Sequence, residues 1–250
     1  MRYRMQAKGR HSIHSPFVYE LYENCIYSNN FKFDNQAIEA MRSSYLNRSQ
    51  SIEVMDFGAG SRVSRSNQRK ISDIARYTLK SAKEAHFVAS FAQYIQAKII
   101  IELGTSLGIT TAYIATANPK ATIFSIEGSE TIHLIAKESI DHLKLNNIEL
   151  LRGNFEQVFP SLLAQEKPDL IYIDGNHTEA ASLRYFELAI QKMEKNGFIL
   201  LDDIYWSKGM TKAWETIIAD KRVSLSIDLY HFGIISLKED FTKQHFILKF

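Results

Sequence analysis

From residue 97 onward the chain alternates wholly apolar runs with amphipathic ones, and this constrains its fold more than any other feature. "AKIIIEL", "ATIFSIE", "IELLRG", "PDLIYID" and "GFILLDD" have strand length and largely lack a polar face. Helical runs lie between them: "GITTAYIATAN", "SETIHLIAKESIDHLKL", "FEQVFPSLLAQ" and "TEAASLRYFELAIQKME", with "KGMTKAWETIIAD" following. Apolar strands joined by helical crossovers make a parallel sheet covered on both faces. The closing runs "VSLSIDLYHFGIISLKED" and "HFILKF" have short connections, which predicts antiparallel strands at that end. The expected fold class is α/β, doubly wound and mostly parallel.

The front of the chain has a different texture. Residues 1–95 read as a helical extension or cap, and 96–250 as the ligand-binding domain. Pro16 suits a first helical turn, with Ser15 as its cap. Residues 34–47 predict a second helix, and 71–95 read as one further helical run. The only cysteine, Cys25, excludes an internal disulfide and a multi-cysteine metal site, and fits a cytoplasmic protein. A formal net charge of +2 makes no case for a nucleic-acid partner. No apolar run reaches membrane-spanning length, so no membrane partner is expected. The basic start lacks the apolar stretch of a secretory peptide.

Two glycine turns compete for a ligand: "MDFGAGSR" at 55–62 and "IIIELGTSLGITT" at 99–111. Ligands of open α/β sheets sit at the carboxyl ends of the strands, so a binding loop leaves a strand and enters a helix. The second turn does both. Gly104 allows a tight turn and Gly108 a close approach at the helix start. Glu127 then ends the next strand, nineteen residues past Gly108, where an acid can accept hydrogen bonds from a ribose. "DFGAG" has a weak strand before it, and no strand-plus-acid unit follows. It reads as a structural turn at Gly58 and Gly60 that brings Arg62 toward the cleft mouth. The G-x-x-x-G spacing departs from the dinucleotide fingerprint. Glu102, two before the first glycine, would repel a pyrophosphate and suits a cationic ligand. Both features weigh against a nicotinamide dehydrogenase.

On these motifs the block from 97 to about 218 resembles the class I S-adenosylmethionine-dependent methyltransferases. It is most similar to the small-molecule O-methyltransferases of the catechol and bacterial sugar or antibiotic types. The resemblance implies a Rossmann-like sheet with S-adenosyl-L-methionine as cofactor. Its cofactor residues would be Glu102, Gly104, Thr105, Ser106 and Gly108 from "ELGTSLG", with Glu127 and Gly128 from "IEG". "RGNFEQVFP" adds Gly153, Asn154 and Phe155 beside the adenine, and Asp174 follows strand four. In the resembling metal-dependent enzymes, acids after strands four and five hold magnesium; here they are Asp174, Asp202 and Asp203. Such an ion prefers oxygen ligands and lowers a hydroxyl's pKa. The bland alternative is helix capping and loop hydrogen bonding.

His177, three residues after Asp174, is the candidate base for a substrate hydroxyl, making His177 and Asp174 the catalytic pair. The catechol type carries a lysine at this stage, so a catechol acceptor is not implied. Lys208 is a weaker alternative, and Tyr205 and Trp206 are candidates for an apolar substrate wall. The partner expected is a small molecule bearing a hydroxyl, with homodimerisation as in similar enzymes. An N-methyltransferase, an RNA methyltransferase and a catalytically silent cofactor binder share the fold. "DGNH" stands where many amino-group methylating enzymes carry an N-P-P-Y-like signature.

Overall fold

The structure is a computed structural model that describes residues 2–27, 30–54 and 67–250; the "DFGAG" turn and Arg62 lie outside the described residues. The front part holds α1 (Arg2–Gln6), α2 (Pro16–Leu21), α3 (Gln36–Leu46), the strands β1 (Ser51–Glu53) and β2 (Gln68–Lys70), α4 (Ile71–Thr78) and α5 (Ala82–Tyr94). β1 and β2 pair antiparallel as a small separate sheet. Pro16 opens α2, and the Ser15 hydroxyl accepts from the Val18 amide, as the sequence predicts. The run 71–95 is two helices rather than one. Ser81 starts α5 with a reciprocal capping box to Glu84, satisfying amide groups that a continuous helix would bond internally.

The main unit then alternates as expected: β3 (Ile99–Leu103), α6 (Ile109–Ala117), β4 (Thr122–Glu127), α7 (Glu130–His142), β5 (Ile148–Arg152), α8 (Phe155–Leu163), β6 (Leu170–Ile173), α9 (Glu179–Lys192), β7 (Phe198–Asp202) and α10 (Lys208–Ala219). It closes with β8 (Leu225–Asp228), β9 (Phe232–Ser236) and β10 (Gln244–Ile247). The strand order is β10-β8-β9-β7-β6-β3-β4-β5. β3 to β7 run parallel, and β9 is antiparallel to both β7 and β8. β10 departs from the antiparallel expectation, because it pairs parallel with β8. The connection 237–243 reverses the chain after β9 and carries it past β8 to the outer edge, so the new strand runs with β8.

Helices cover both faces of the sheet, and the front part shares its core. Val18 and Leu21 of α2, with Phe87, Val88 and Phe91 of α5, lie in one buried cluster with Ile100, Tyr172 and Leu200 of the sheet. Fully burying side chains of this size contributes about 1.5–3 kcal/mol each. α2 and α5 are therefore held to the sheet by core packing, and the Lys80 turn that leads into α5 reaches the strand ends at Asp202. Strand order reverses direction between β3 and β6, which puts the crevice of such a sheet between the loops that follow them.

Candidate functional site

Backbone conformation marks that rim. Gly104 has φ +109°, and a Cβ there would lie 2.1 Å from the Asp174 carbonyl oxygen, so the loops after β3 and β6 meet backbone to backbone. Gly108 has φ +79° where α6 begins. Ser106, Asn176 and Asp203 also take left-handed conformations, at φ 49°, 51° and 52°. Non-glycine residues reach that region at a cost of roughly 1–3 kcal/mol each and cluster at functional sites. These three follow β3, β6 and β7, three neighbouring strands of the sheet.

One half of the rim is built around Glu127. Its carboxylate accepts from the Ser106 amide at 3.0 Å and the Ser129 amide at 2.9 Å, which ties the glycine loop to the end of β4. Gly128 follows, and the Gly153 amide donates to the Glu127 carbonyl at 3.0 Å. Asn154 caps α8, accepting from the Glu156 amide. The Phe155 ring lies so close to Gly175 that a Cβ there would be 2.6 Å away. The loops after β3, β4, β5 and β6 are thus in mutual contact, and the sequence-predicted residues on them come together.

Two members of the predicted set point elsewhere. Thr105 is buried, its hydroxyl 2.6 Å from that of Ser125. Glu102 has no exposure, and one carboxyl oxygen accepts from Thr111 and Ser125 at 2.5 Å each. Burial pushes its pKa up to about 8, against the pull of those two hydrogen bonds. The Glu102 carboxyl is thus buried beside Thr111 and Ser125, where burial favours its neutral form.

The other half of the rim is a carboxylate cluster with a cation inside it. Asp202 ends β7, Asp203 follows, and Asp174 follows β6. Lys80, between α4 and α5, places its ammonium in hydrogen-bond contact with Asp202 Oδ2, 3.6 Å from Asp174 and 3.9 Å from Asp203. Its side chain is 13% exposed. His177 Nε2 lies 3.6 Å from Asp174 Oδ1, and Tyr172 donates to Asp174 Oδ2 at 2.9 Å. The Asp203 amide donates to the His231 carbonyl at 2.7 Å, fixing the loop after β7.

Burial opposes the charge on Lys80, but Asp174, Asp202 and Asp203 outweigh it and raise its pKa above the ordinary lysine value. Burial also disfavours charge on Asp174, yet Lys80, the Asp202 hydrogen bond and His177 bring its pKa below the usual range. Asp202 is pushed well up, by burial and then by the charge of Asp174. Distance and charge rank the two acids differently, since Lys80 lies nearest Asp202. Asp174 is the ionised member, because Asp202 is buried and its Oδ1 has no hydrogen-bond partner among the described residues.

A divalent ion finds donor atoms of suitable chemistry here: Asp174, His177 and Asp202 offer atoms within 4.8 Å of one another. The Lys80 ammonium occupies the same cluster, so with Lys80 in place the set does not fit such an ion. Lys80 is the site residue that sequence reasoning missed. The signal was the S-x-x-E capping box at Ser81–Glu84, which marks a helix start and hence a turn at Leu79–Lys80. Lys208 is an exposed first residue of α10. Tyr205 joins an aromatic cluster with Tyr3 and Tyr230, at ring distances of 6.4 and 5.5 Å. Trp206 is largely exposed.

The sheet order and the loops gathered at its reversal point are those of a Rossmann-like methyltransferase fold, and comparison with known proteins finds the same likeness. A family model described as "Methyltransferase domain" matches residues 101–204. The O-methyltransferase hkm8 of Aspergillus hancockii is 28% identical over 146 residues, 56% of this chain and 57% of that protein. A catechol O-methyltransferase of Niastella koreensis is 27% identical over 128 residues, 50% of this chain and 57% of that protein. The chain thus spans little more than half the length of these curated relatives. The SAH-bound methyltransferase PaMTH1 of Podospora anserina superposes with a TM-score of 0.65 at 15% identity, covering 91% of this chain and 97% of that one, a likeness of fold. Over about half its length the chain is thus similar to the methyltransferase domain and to small-molecule O-methyltransferases.

Proposed function

We propose that the protein moves a methyl group from S-adenosyl-L-methionine to a hydroxyl of a small molecule. The observation that carries this reading is the meeting, at the reversal point of the sheet, of a glycine loop tied to Glu127 with a polar cluster holding His177. When bound, the cofactor supplies an electrophilic methyl on a sulfonium, whose S–CH3 electron pair stays with sulfur as the new O–CH3 bond forms. The Glu127 carboxylate at the end of β4 would accept from ribose hydroxyls, with Gly128, Gly153, Asn154 and Phe155 along the neighbouring edge. Gly104 and Gly108 let the backbone approach closely, and Ser106 orients the loop.

His177, 22% exposed beside Asp174, would take the proton of the acceptor hydroxyl and pass it to solvent. Asp174 orients the imidazole. Little covalent help is needed, since in-line displacement depends mostly on positioning. A cavity of about 380 Å³, lined by Tyr3, Lys83, Glu84, Tyr230, His231 and Phe250 among others, is the candidate acceptor entry. Aromatic walls with a few polar groups suit an apolar or ring-bearing alcohol or phenol. Magnesium, implied by resemblance to the metal-dependent members, would have to share Asp174, Asp202 and Asp203 with Lys80. The cytoplasmic location and homodimer expected from sequence belong to the same reading; among the described residues no helix is long and apolar enough to cross a membrane.

Titration calorimetry of the intact protein with S-adenosylhomocysteine tests the core of the proposal. Binding is expected, weakened at least tenfold in Glu127→Ala. No binding by the intact protein would remove the cofactor assignment and the function with it.

A further inference from the structure

We propose that Lys80 is the resident cation of the acceptor site: its ammonium takes the place of a divalent ion among Asp174, Asp202 and Asp203 and excludes that ion. This deepens the methyltransferase reading, on which it rests for the meaning of the site. The exclusion itself is independent of any methyl transfer.

Several contacts hold Lys80 in place. Its backbone carbonyl accepts from the Arg42 guanidinium of α3, which also pairs with Glu39. The next residue, Ser81, starts the capping box of α5. One residue before the Leu79–Lys80 turn, the Thr78 hydroxyl lies 2.8 Å from that of Ser106 on the cofactor loop. The turn is therefore clamped from α3, from α5 and from the glycine loop. Its ammonium ends among three carboxyl groups with 13% exposure.

A hard divalent ion among these acids needs oxygen ligands at about 2.0–2.6 Å, in the space that the ammonium fills. It would also face a positive charge already paired there. To admit the ion, Lys80 would have to leave both its space and its partners. An ammonium offers three donors, and among the described residues Asp202 alone meets it within hydrogen-bonding distance. Lys80 thus has donors to give an acceptor oxygen, which it would orient as a point charge. A point charge does not chelate. The acceptor class that follows is a single hydroxyl, without the need for a neighbouring one.

The test uses the full chain and Mn2+ alone as probe, followed by electron paramagnetic resonance and calorimetry. Wild-type protein is expected to leave the free Mn2+ signal unchanged up to millimolar metal. Lys80→Ala is expected to bind Mn2+ at least tenfold more tightly, and Asp202→Asn added to it should abolish that gain. Lys80→Arg, which keeps the charge, should gain nothing. Calorimetry with S-adenosylhomocysteine on the same variants shows that each is folded and separates this proposal from the functional one. Mn2+ binding by wild type that Asp202→Asn weakens tenfold would overturn the exclusion. So would a folded Lys80→Ala that binds no more Mn2+ than wild type. If Lys80→Ala does not fold, Lys80→Met, which keeps most of the stem and removes the charge, carries the same test, and a folded Lys80→Met that binds no more Mn2+ than wild type overturns the exclusion.

Discussion

At the scale of single residues the site depends on side chains whose roles separate cleanly on substitution. His177→Ala should lower kcat by about 10²–10⁴-fold, the usual worth of a positioned base, while binding of S-adenosylhomocysteine changes less than twofold. A fall in kcat below fivefold would leave His177 without the base role. Gly104→Ala should act on the fold instead. Its φ of +109° is hostile to a side chain, and the Asp174 carbonyl blocks the Cβ position. Urea unfolding should show a loss of more than about 1–3 kcal/mol, the range for backbone strain alone. A stability equal to wild type would mean that the loops after β3 and β6 are not in contact. His177 and Gly104 were both legible in the sequence, because each lies in a short motif beside a strand end. Lys80 was not: its partners are 94 to 123 residues away, and no local pattern carries a tertiary ion pair. Glu102 was legible as an acid beside a glycine loop, but the side to which it turns depends on Thr111 and Ser125.

At the scale of elements, the break between α4 and α5 matters most. Apolar residues continue at helical spacing through it, which is why periodicity reads 71–95 as one helix. Ser81 and Glu84 overrule the period by offering the α5 amide groups side-chain partners. Ser81→Ala should cost about 0.5–2 kcal/mol in a denaturant titration, the usual value of an N-cap. Because the cap is adjacent to Lys80, the same variant should admit Mn2+ more readily than wild type, though less readily than Lys80→Ala. A variant destabilised by that amount with unchanged exclusion of Mn2+ would show that Arg42 and the Thr78–Ser106 contact aim the lysine without the cap. The strands of the main sheet were legible because each is an apolar run between turn residues. The direction of β10 was not, since it depends on which edge the 237–243 connection reaches.

At the scale of the whole molecule, the two ends of the chain meet. Tyr3 donates to the Leu248 carbonyl, and Lys8 bridges to Leu248, across separations that no single sequence reveals. This contact seats Tyr3 and Phe250 in the same cavity wall, which is assembled from both ends, while the glycine loop and Glu127 come from the middle. Between them runs β3, which carries Glu102 in its interior. The unfolded chain ionises such a carboxyl near pH 4.3, whereas burial in the fold pushes the pKa up to about 8. Between these values the folded state keeps a proton that the unfolded state has lost. Its contribution to stability therefore falls as pH rises through this window and levels off above about pH 8. Glu102→Gln keeps the shape and removes the titration. The stability of wild type minus that of Glu102→Gln, from urea unfolding at pH 5, 6.5 and 8, should decrease with pH by on the order of 1–3 kcal/mol. Groups that titrate alike in both proteins cancel in this difference. Parallel stability curves would mean that Glu102 stays ionised in the folded state.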